Sequence, residues 1–202
     1  MTITPAILIL AAGSSSRMQG ADKLMEMVDG EPLIRRQARI AFETGCPVIV
    51  ALPPDRPERV AAIAPLAVIL ATVPDAPHGM SASIRRGLAV ARGLSPLPAG
   101  LMILPGDMPD FTLPALQLII AAFRENPTRI LRATTAAGRP GHPAIFPPDL
   151  WDALDHVTGD QGGRQVLADH ADRVTHIPLP GNMAITDLDT PEDWTRWRSD
   201  RL

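Results

Sequence analysis

Four short apolar runs recur along the first half of the chain without alternating with polar residues. They are AILILAA (6–12), PVIVALP (47–53), AVILAT (67–72) and GLMILPGD (100–107). A strand with no alternation is buried on both faces, as in a parallel sheet covered by helices. Between the runs lie EPLIRRQARIAFETG (31–45), PERVAAIAP (57–65) and MSASIRRGLAVARG (80–93), and TLPALQLIIAAFREN (112–126) follows the last. Each has apolar residues at helical spacing, and two end in glycine, a usual helix stop. Strand and helix alternating at this pitch predict an α/β domain with right-handed crossovers.

Beyond about residue 130 the rhythm loosens. RILRATTAAGRPGHPAIF (129–146) reads as two strands around a Gly/Pro loop. PDLWDALDHV (148–157) and GGRQVLADHAD (162–172) read as helices, RVTHIPLP (173–180) as a strand. A last helix begins at Thr190, with Pro191 and two acids in its first turn. No linker-like composition separates the halves, so residues 1–202 read as a single domain. Ligands of an open parallel sheet bind at the carboxyl ends of its strands, near the point where strand order reverses. The loops that matter therefore follow Ala12, Leu52, Thr72 and Leu104.

Composition narrows the partners. A net charge of -3 gives no electrostatic case for nucleic acid, and with 3% aromatics and no tyrosine there is no stacking platform for single strands. No stretch reaches the ~18 to 20 apolar residues of a membrane helix, and the start lacks the basic end of a signal peptide. The single cysteine, Cys46, excludes an internal disulfide and a cysteine-rich metal cluster. Together these point to a cytoplasmic protein that binds neither nucleic acid nor membrane.

The first strand runs into LAAGSSSRMQGADK (10–23). Gly13 admits close approach of a phosphate, and amides and hydroxyls of small residues bind anions without net charge. Arg17 offers a fork and Lys23 a mobile point charge. The spacing is neither a Walker loop nor GxGxxG. The same residues also suit an ordinary strand-to-helix turn with solvated Arg and Lys. In LPGDMPD (104–110), Asp107 ends a strand where a carboxylate can hold Mg²⁺ against a phosphate; it also suits the cap of the helix starting near Thr112. In TDLDTPEDW (186–194), Asp187 and Asp189 point the same way on an extended segment and could complete a metal site with Asp107. Asp189 or Thr190 also makes a good N-cap.

HGMSASIRRG (78–87) opens a helix at Gly79 and offers the hydroxyls of Ser81 and Ser83, with His78 either chemical or merely solvated. GRPGHPAIF (138–146) is a shaped loop around His142. The five histidines lack HxxxH or HxH spacing, and there is no GxSxG elbow.

Together these motifs resemble the molybdenum cofactor cytidylyltransferase family and its nucleotidyltransferase relatives, which include the molybdenum cofactor guanylyltransferases. The family's LAAGxSxRM and following lysine match Leu10 to Met18 and Lys23; GMxxS matches Gly79 to Ser83; LPGDMP matches Leu104 to Pro109. GxPGHP matches Gly138 to Pro143, GDxGxR matches Gly159 to Arg164, and DxDTPED matches Asp187 to Asp193. The matches stand in family order across nearly the whole chain. One departure is RMQGADK, a residue longer than the family's RMGxxK.

The resemblance implies a three-layer α/β/α, Rossmann-like nucleotidyltransferase fold with a mostly parallel central sheet. It implies that a substrate phosphate attacks a nucleoside triphosphate and pyrophosphate leaves. Arg17, Lys23 and Asp107 are then the catalytic set, and Asp107 with Asp187 or Asp189 holds Mg²⁺. Leu10, Ala11, Ala12, Gly13, Ser14, Ser15 and Ser16 form the nucleotide loop. Pro53 in PPDRP, Gly79, Met80, Ser81, Ser83 and Gly106 border the nucleotide. Gly141, His142, Pro143, Asp160, Gly162, Gly163 and Arg164 face a pterin-type phosphate acceptor, molybdenum-bound molybdopterin, with a molybdoenzyme or its chaperone as a further partner. Ala12, where guanylyl relatives show a second glycine, favours CTP, because its Cβ takes space a purine needs. The same chemistry on a sugar phosphate, or a non-catalytic cofactor chaperone, are the competing readings.

Overall fold

The computed structural model describes residues 3–201, Asp160 by its backbone only. In chain order the strands are β1 (Ala6–Leu10), β2 (Met27–Val28), β3 (Glu31–Pro32), β4 (Val48–Leu52), β5 (Ile69–Thr72), β6 (Leu101–Pro105), β7 (Ile130–Thr134), β8 (Pro140–Phe146) and β9 (Val174–Pro178). The helices are α1 (Leu33–Phe42), α2 (Pro57–Ile63), α3 (Met80–Arg92), α4 (Leu113–Glu125), α5 (Trp151–Asp155), α6 (Arg164–Asp169) and α7 (Pro191–Ser199).

Seven strands form one sheet in the order β5-β4-β1-β6-β8-β7-β9. β4, β1 and β6 lie side by side in parallel, and β5 extends them beyond β4. β8 runs antiparallel to β6 and β7, and β9 is again parallel to β7. The antiparallel β7–β8 pair is the expected turn around the Gly/Pro loop. Side chains alternate between faces along each strand, and both faces are buried. On one face Ile7, Ile9, Val50 and Leu104 share a core with Ile34 of α1, Leu116 and Phe123 of α4 and Trp194 of α7. On the other, Leu8, Ile49 and Ile103 share a core with Ile84 and Leu88 of α3 and Leu154 of α5. Helices thus cover both faces, as expected of three α/β/α layers. Among the described residues no helix is long and apolar enough to cross a membrane.

The sequence placed α1 from residue 31. Instead Glu31–Pro32 pairs with Met27–Val28 in a short hairpin, and the helix starts at Leu33. Pro32 sits at the cap with extended backbone, a place proline takes readily because helix starts need no N–H there. From β1 the chain moves out to β4 and β5, then crosses back to β6 on the other side of β1. The order therefore reverses between β1 and β6, and their two loops emerge together: the Gly106 amide donates to the Leu10 carbonyl at 3.0 Å.

Candidate functional site

Over the carboxyl ends of these strands lies one cleft of about 1190 Å³. That is beyond the usual ~300 to 1,000 Å³ of a small-molecule pocket, and suits two substrates held at once. The loops after β1, β4, β5 and β6 all contribute to its wall, as do β8 and the segments before α6 and α7.

The loop after β1 is held from beneath. Arg59 of α2 is fully buried; its guanidinium donates to the Ala11 and Gly13 carbonyls at 2.6 and 2.9 Å and grips both Asp22 oxygens at 2.7 and 2.8 Å. It also donates to Ser15 Oγ at 3.2 Å, and Ser15 accepts from the Lys23 amide at 3.3 Å. Asp22 caps the single turn Lys23–Met25 through the Leu24 amide. Burial disfavours the Asp22 charge, but Arg59 outweighs it and holds the carboxyl below its usual range. One buried cation thus fixes both the Gly13–Ser16 backbone and the turn that carries Lys23. The extra residue in RMQGADK is absorbed in this loop, where Gln19 and Gly20 both take left-handed φ (52° and 95°).

Lys23 Nζ donates to Asp107 at 2.6 Å and to Asp189 at 2.7 Å, and Arg17 pairs with Asp189 at 2.8 Å while its side chain is 66% exposed. Burial works against the Lys23 charge, yet the two carboxylates prevail and raise its pKa. Asp187 is pushed up by burial and then by Asp107 and Asp189. The two alternatives for these acids are now decided locally. Thr112 caps α4, and Thr190 forms a capping box with Asp193 at the start of α7. Asp107 and Asp189 are therefore not spent on caps. The Leu188 amide donates to the Asp107 carbonyl at 3.1 Å, which joins the two acidic segments.

Asp107, with Asp187 or Asp189, is expected to hold a metal ion. Among the described residues no group of three or more His, Cys, Asp or Glu side chains is disposed to hold one, and the Lys23 ammonium bridges two of these acids. Their chemistry still suits Mg²⁺, a hard ion that takes one or two carboxylates and completes its shell with water and phosphate oxygens. The mutual repulsion registered at Asp187 also favours an added cation.

The cleft wall includes Leu10, Ala12, Gly13, Ser14, Ser15, Ser16, Arg17, Lys23, Pro53, Gly79, Met80, Ser83, Asp107, Asp187 and Asp189. It also includes Gly141, His142, Gly162, Gly163 and Arg164. Ala11, Ser81, Gly106 and Pro143 lie outside the wall. Ala11 instead serves Arg59 through its carbonyl. Ser81 is 1% exposed, for a simple reason: residues two apart on a helix point to opposite sides, so only one of Ser81 and Ser83 can face the cleft. The Asp160 side chain lies outside the description. His78 is exposed and apart from the wall.

Gly141 has a geometric reason to be glycine. A Cβ there would overlap the Ala184 carbonyl, the same group that accepts from the His142 amide at 2.7 Å. This close approach docks β8 against the segment leading to Asp187 and Asp189. His142 is held neutral: burial, then Arg132, lower its pKa to about 4, and its Nδ1 is buried without a partner.

The sequence reading missed four residues. Arg59 is a cation at helical spacing i,i+4 from buried Ile63, so its inward direction was legible in PERVAAI. Arg36 and Gln37 of α1 bind the carbonyls of Met108, Pro109 and Phe111, just after Asp107. Arg132 is a cation inside a strand, and it lines the cleft.

Comparison with known proteins shows the family and the fold. Residues 7–174 match the model of the MobA-like NTP transferase domain. A molybdenum cofactor guanylyltransferase of Pseudomonas aeruginosa PAO1 is 32% identical over 193 residues, 93% of this chain and 91% of its own. One from Mesorhizobium japonicum is 31% identical over 175 residues, 85% and 80%. The crystal structure of Rv0371c from Mycobacterium tuberculosis H37Rv superposes with TM-score 0.83 at 24% identity, covering 98% of this chain and 100% of that one. A nucleotidyl transferase from Methanothermobacter gives TM-score 0.80 at 20% identity, covering 98% and 97%.

Proposed function

The chain belongs to the MobA-like NTP transferase domain family and is a nucleotidyltransferase, and on that premise we propose that it moves CMP from CTP to molybdenum-bound molybdopterin. The observation that carries this is the Lys23–Asp107–Asp189–Arg17 cluster beneath a Gly/Ser loop, in a cleft with room for a second substrate. The loop amides and hydroxyls and the two cations bind the triphosphate. An oxygen of the acceptor phosphate attacks the α-phosphorus, the bond to the β-phosphate oxygen breaks, and pyrophosphate leaves. The attacking oxygen is already anionic, so no general base is required. Lys23 and Arg17 neutralise charge that builds on the phosphoryl and leaving oxygens, which is most of what a protein does in phosphoryl transfer. A bound Mg²⁺, held by Asp107 with Asp187 or Asp189, supplies further charge neutralisation.

CTP is favoured by Ala12, which lines the cleft and puts a methyl group where a second glycine would leave space. Selectivity from one methyl is modest, about 1 to 3 kcal/mol. GTP is the second reading, because the curated relatives at about one-third identity are named guanylyltransferases. The acceptor side is read from Gly141, His142, Gly162, Gly163 and Arg164, with a cytoplasmic molybdoenzyme as the consumer of the product.

Asp107→Asn tests the cluster. Asn keeps the shape but not the charge that a metal and Lys23 require. Pyrophosphate release is expected to fall by at least a hundredfold, with the melting temperature nearly unchanged. Near-native turnover would remove Asp107 from the chemistry.

A further inference from the structure

Asp107 and Asp189 meet Lys23 from 84 and 166 residues away in the chain. Contacts of 2.6 and 2.7 Å require the three carrier segments to be held in register, and α7 reaches all of them. Its cap fixes Asp189: the Asp193 carboxylate accepts from the amides of Thr190 and Asp189 at 3.0 and 3.4 Å, so Asp189 moves with the helix. In the second half of α7, Trp197 Nε1 donates to Asp110 Oδ1 at 2.8 Å, in the loop that carries Asp107. Arg198 pairs at 2.7 Å with Glu26, the residue that ends the turn carrying Lys23.

Packing alone accounts for Trp194 but not for the indole of Trp197. The two are three apart on one helix face. Trp194 is buried in the core beside Phe111. Trp197 meets it edge-on, with ring centroids 5.8 Å apart, and is itself only partly buried. A phenyl ring could make that edge contact; the N–H serves the Asp110 carboxylate, and a bond to a charged acceptor is about twice as strong as a neutral one. On the Trp197 ring lies the Arg201 guanidinium, 4.4 Å from the centroid and paired with Asp29 at 3.2 Å. The Arg198–Glu26 and Arg201–Asp29 pairs are solvent-exposed and weak by themselves. From the other side, α1 holds the same loop through the Met108, Pro109 and Phe111 carbonyls, but α1 does not carry Asp189. The Trp197–Asp110 bond, with the Leu188 amide on the Asp107 carbonyl, is what sets Asp107 against Asp189.

We infer that Trp197 is a positioning residue: its indole N–H, through Asp110, holds the loop of Asp107 against the helix that carries Asp189, and so fixes the gap that Lys23 spans. Neither Trp197 nor Asp110 lines the cleft, so neither acts on substrate directly. The inference rests on the nucleotidyl-transfer reading for its effect on turnover, though not for its effect on the spacing of the two acids. Reacting groups misplaced by about 1 Å cost on the order of 10²-fold in rate, so a tether outside the cleft can matter as much as a group within it.

Four variants of the full chain test this: Trp197→Phe, Asp110→Ala, Asp110→Asn and the double variant Trp197→Phe with Asp110→Ala. Two quantities are measured. One is kcat and KM for CTP, from pyrophosphate release with Mg²⁺ and molybdenum-bound molybdopterin. The other is hydrogen exchange at the Leu188 amide by NMR, which reports the bond to the Asp107 carbonyl without any turnover. Trp197→Phe and Asp110→Ala are each expected to lose about tenfold or more in kcat, with KM for CTP within about twofold of wild type. Exchange at Leu188 is expected to quicken about tenfold or more in both, with core amides unchanged. Asp110→Asn keeps an acceptor oxygen and is expected to stay close to wild type in both readouts. The double variant is expected to lose no more than either single one, because one bond is removed in all three. Unchanged kcat or unchanged Leu188 exchange in Trp197→Phe would overturn the proposal, as would additive losses or an Asp110→Asn as impaired as Asp110→Ala. Exchange quickened across the whole core would make Trp197 a matter of stability only and would also overturn it. If Trp197→Phe does not fold, the two Asp110 variants decide by the same readouts. No pyrophosphate release from wild type, with Leu188 exchange quickened in the variants, would instead fail the transfer reading and leave the tether standing.

Discussion

At the scale of single residues, Arg59 does the most for the site without touching the cleft. Its buried guanidinium ties two carbonyls of the loop after β1 to the carboxylate that precedes Lys23. Removing one partner of a buried ion pair strands the other, at a cost of about 3 to 5 kcal/mol. Arg59→Met is therefore expected to lower unfolding free energy by about that much and to weaken nucleotide binding. Adding Asp22→Leu should return much of the stability, since no charge is then stranded, but not the affinity, since the loop carbonyls stay unheld. Urea unfolding and nucleotide titration check both; affinity recovering along with stability would reduce Arg59 to a structural role. His142 gives a pH signature. Its folded pKa of about 4 lies below the ordinary 6.5, so between these values the unfolded chain binds a proton that the folded chain refuses. Stability attributable to His142 is complete above about pH 6.5 and falls as pH drops towards 4, by up to about 3 kcal/mol. His142→Asn should flatten the decline between pH 7 and 5 measured by urea unfolding, and an unchanged slope would contradict it. These two residues also show what the sequence conceals: the motif marks His142 but not its neutrality, which comes from burial beside Arg132.

At the scale of elements, the strands and helices were largely legible, because long apolar runs and helical periodicity are set by burial of whole faces. The sites where legibility failed are short. The β2–β3 hairpin has two residues per strand, too few for any period to register. The Ser81 and Ser83 pair shows the opposite limit, where the helix was foreseen but its rotation was not applied to the side chains. The loop after β6 depends on α1, and this coupling has no sequence signal, since the partners are some seventy residues apart. Gln37 is fully buried; its Nε2 donates to the Met108 carbonyl at 2.6 Å while its Oε1 has no partner. Gln37→Leu removes a good bond and an orphaned acceptor together, so net stability should change by only about 1 kcal/mol. The loop beside Asp107 loses a tether, however, and small misplacements of reacting groups cost on the order of 10²-fold. A fall in kcat of roughly tenfold or more with a nearly constant melting temperature is expected. Unchanged kcat would mean that Arg36 alone positions the loop.

At the scale of the molecule, the sheet order explains why distant motifs meet. The crossover from β5 back past β1 sets the Gly13–Ser16 loop beside Asp107. The antiparallel β7–β8 pair then brings Arg132 and His142 to the same cleft, and Gly141 lets β8 meet the segment that carries Asp187 and Asp189. Motif order in the sequence points to such a site, but only the sheet order shows which motifs line one cleft. The proposed reaction in this cleft joins a pyrimidine nucleotide to a phosphate acceptor. The most direct measurement is pyrophosphate release by the wild-type chain with Mg²⁺ and molybdenum-bound molybdopterin, comparing kcat/KM for CTP and GTP. Release is expected with both nucleotides, with a preference for CTP of about 10- to 200-fold, the scale of one methyl group. A preference for GTP, or no release with either nucleotide, would contradict it.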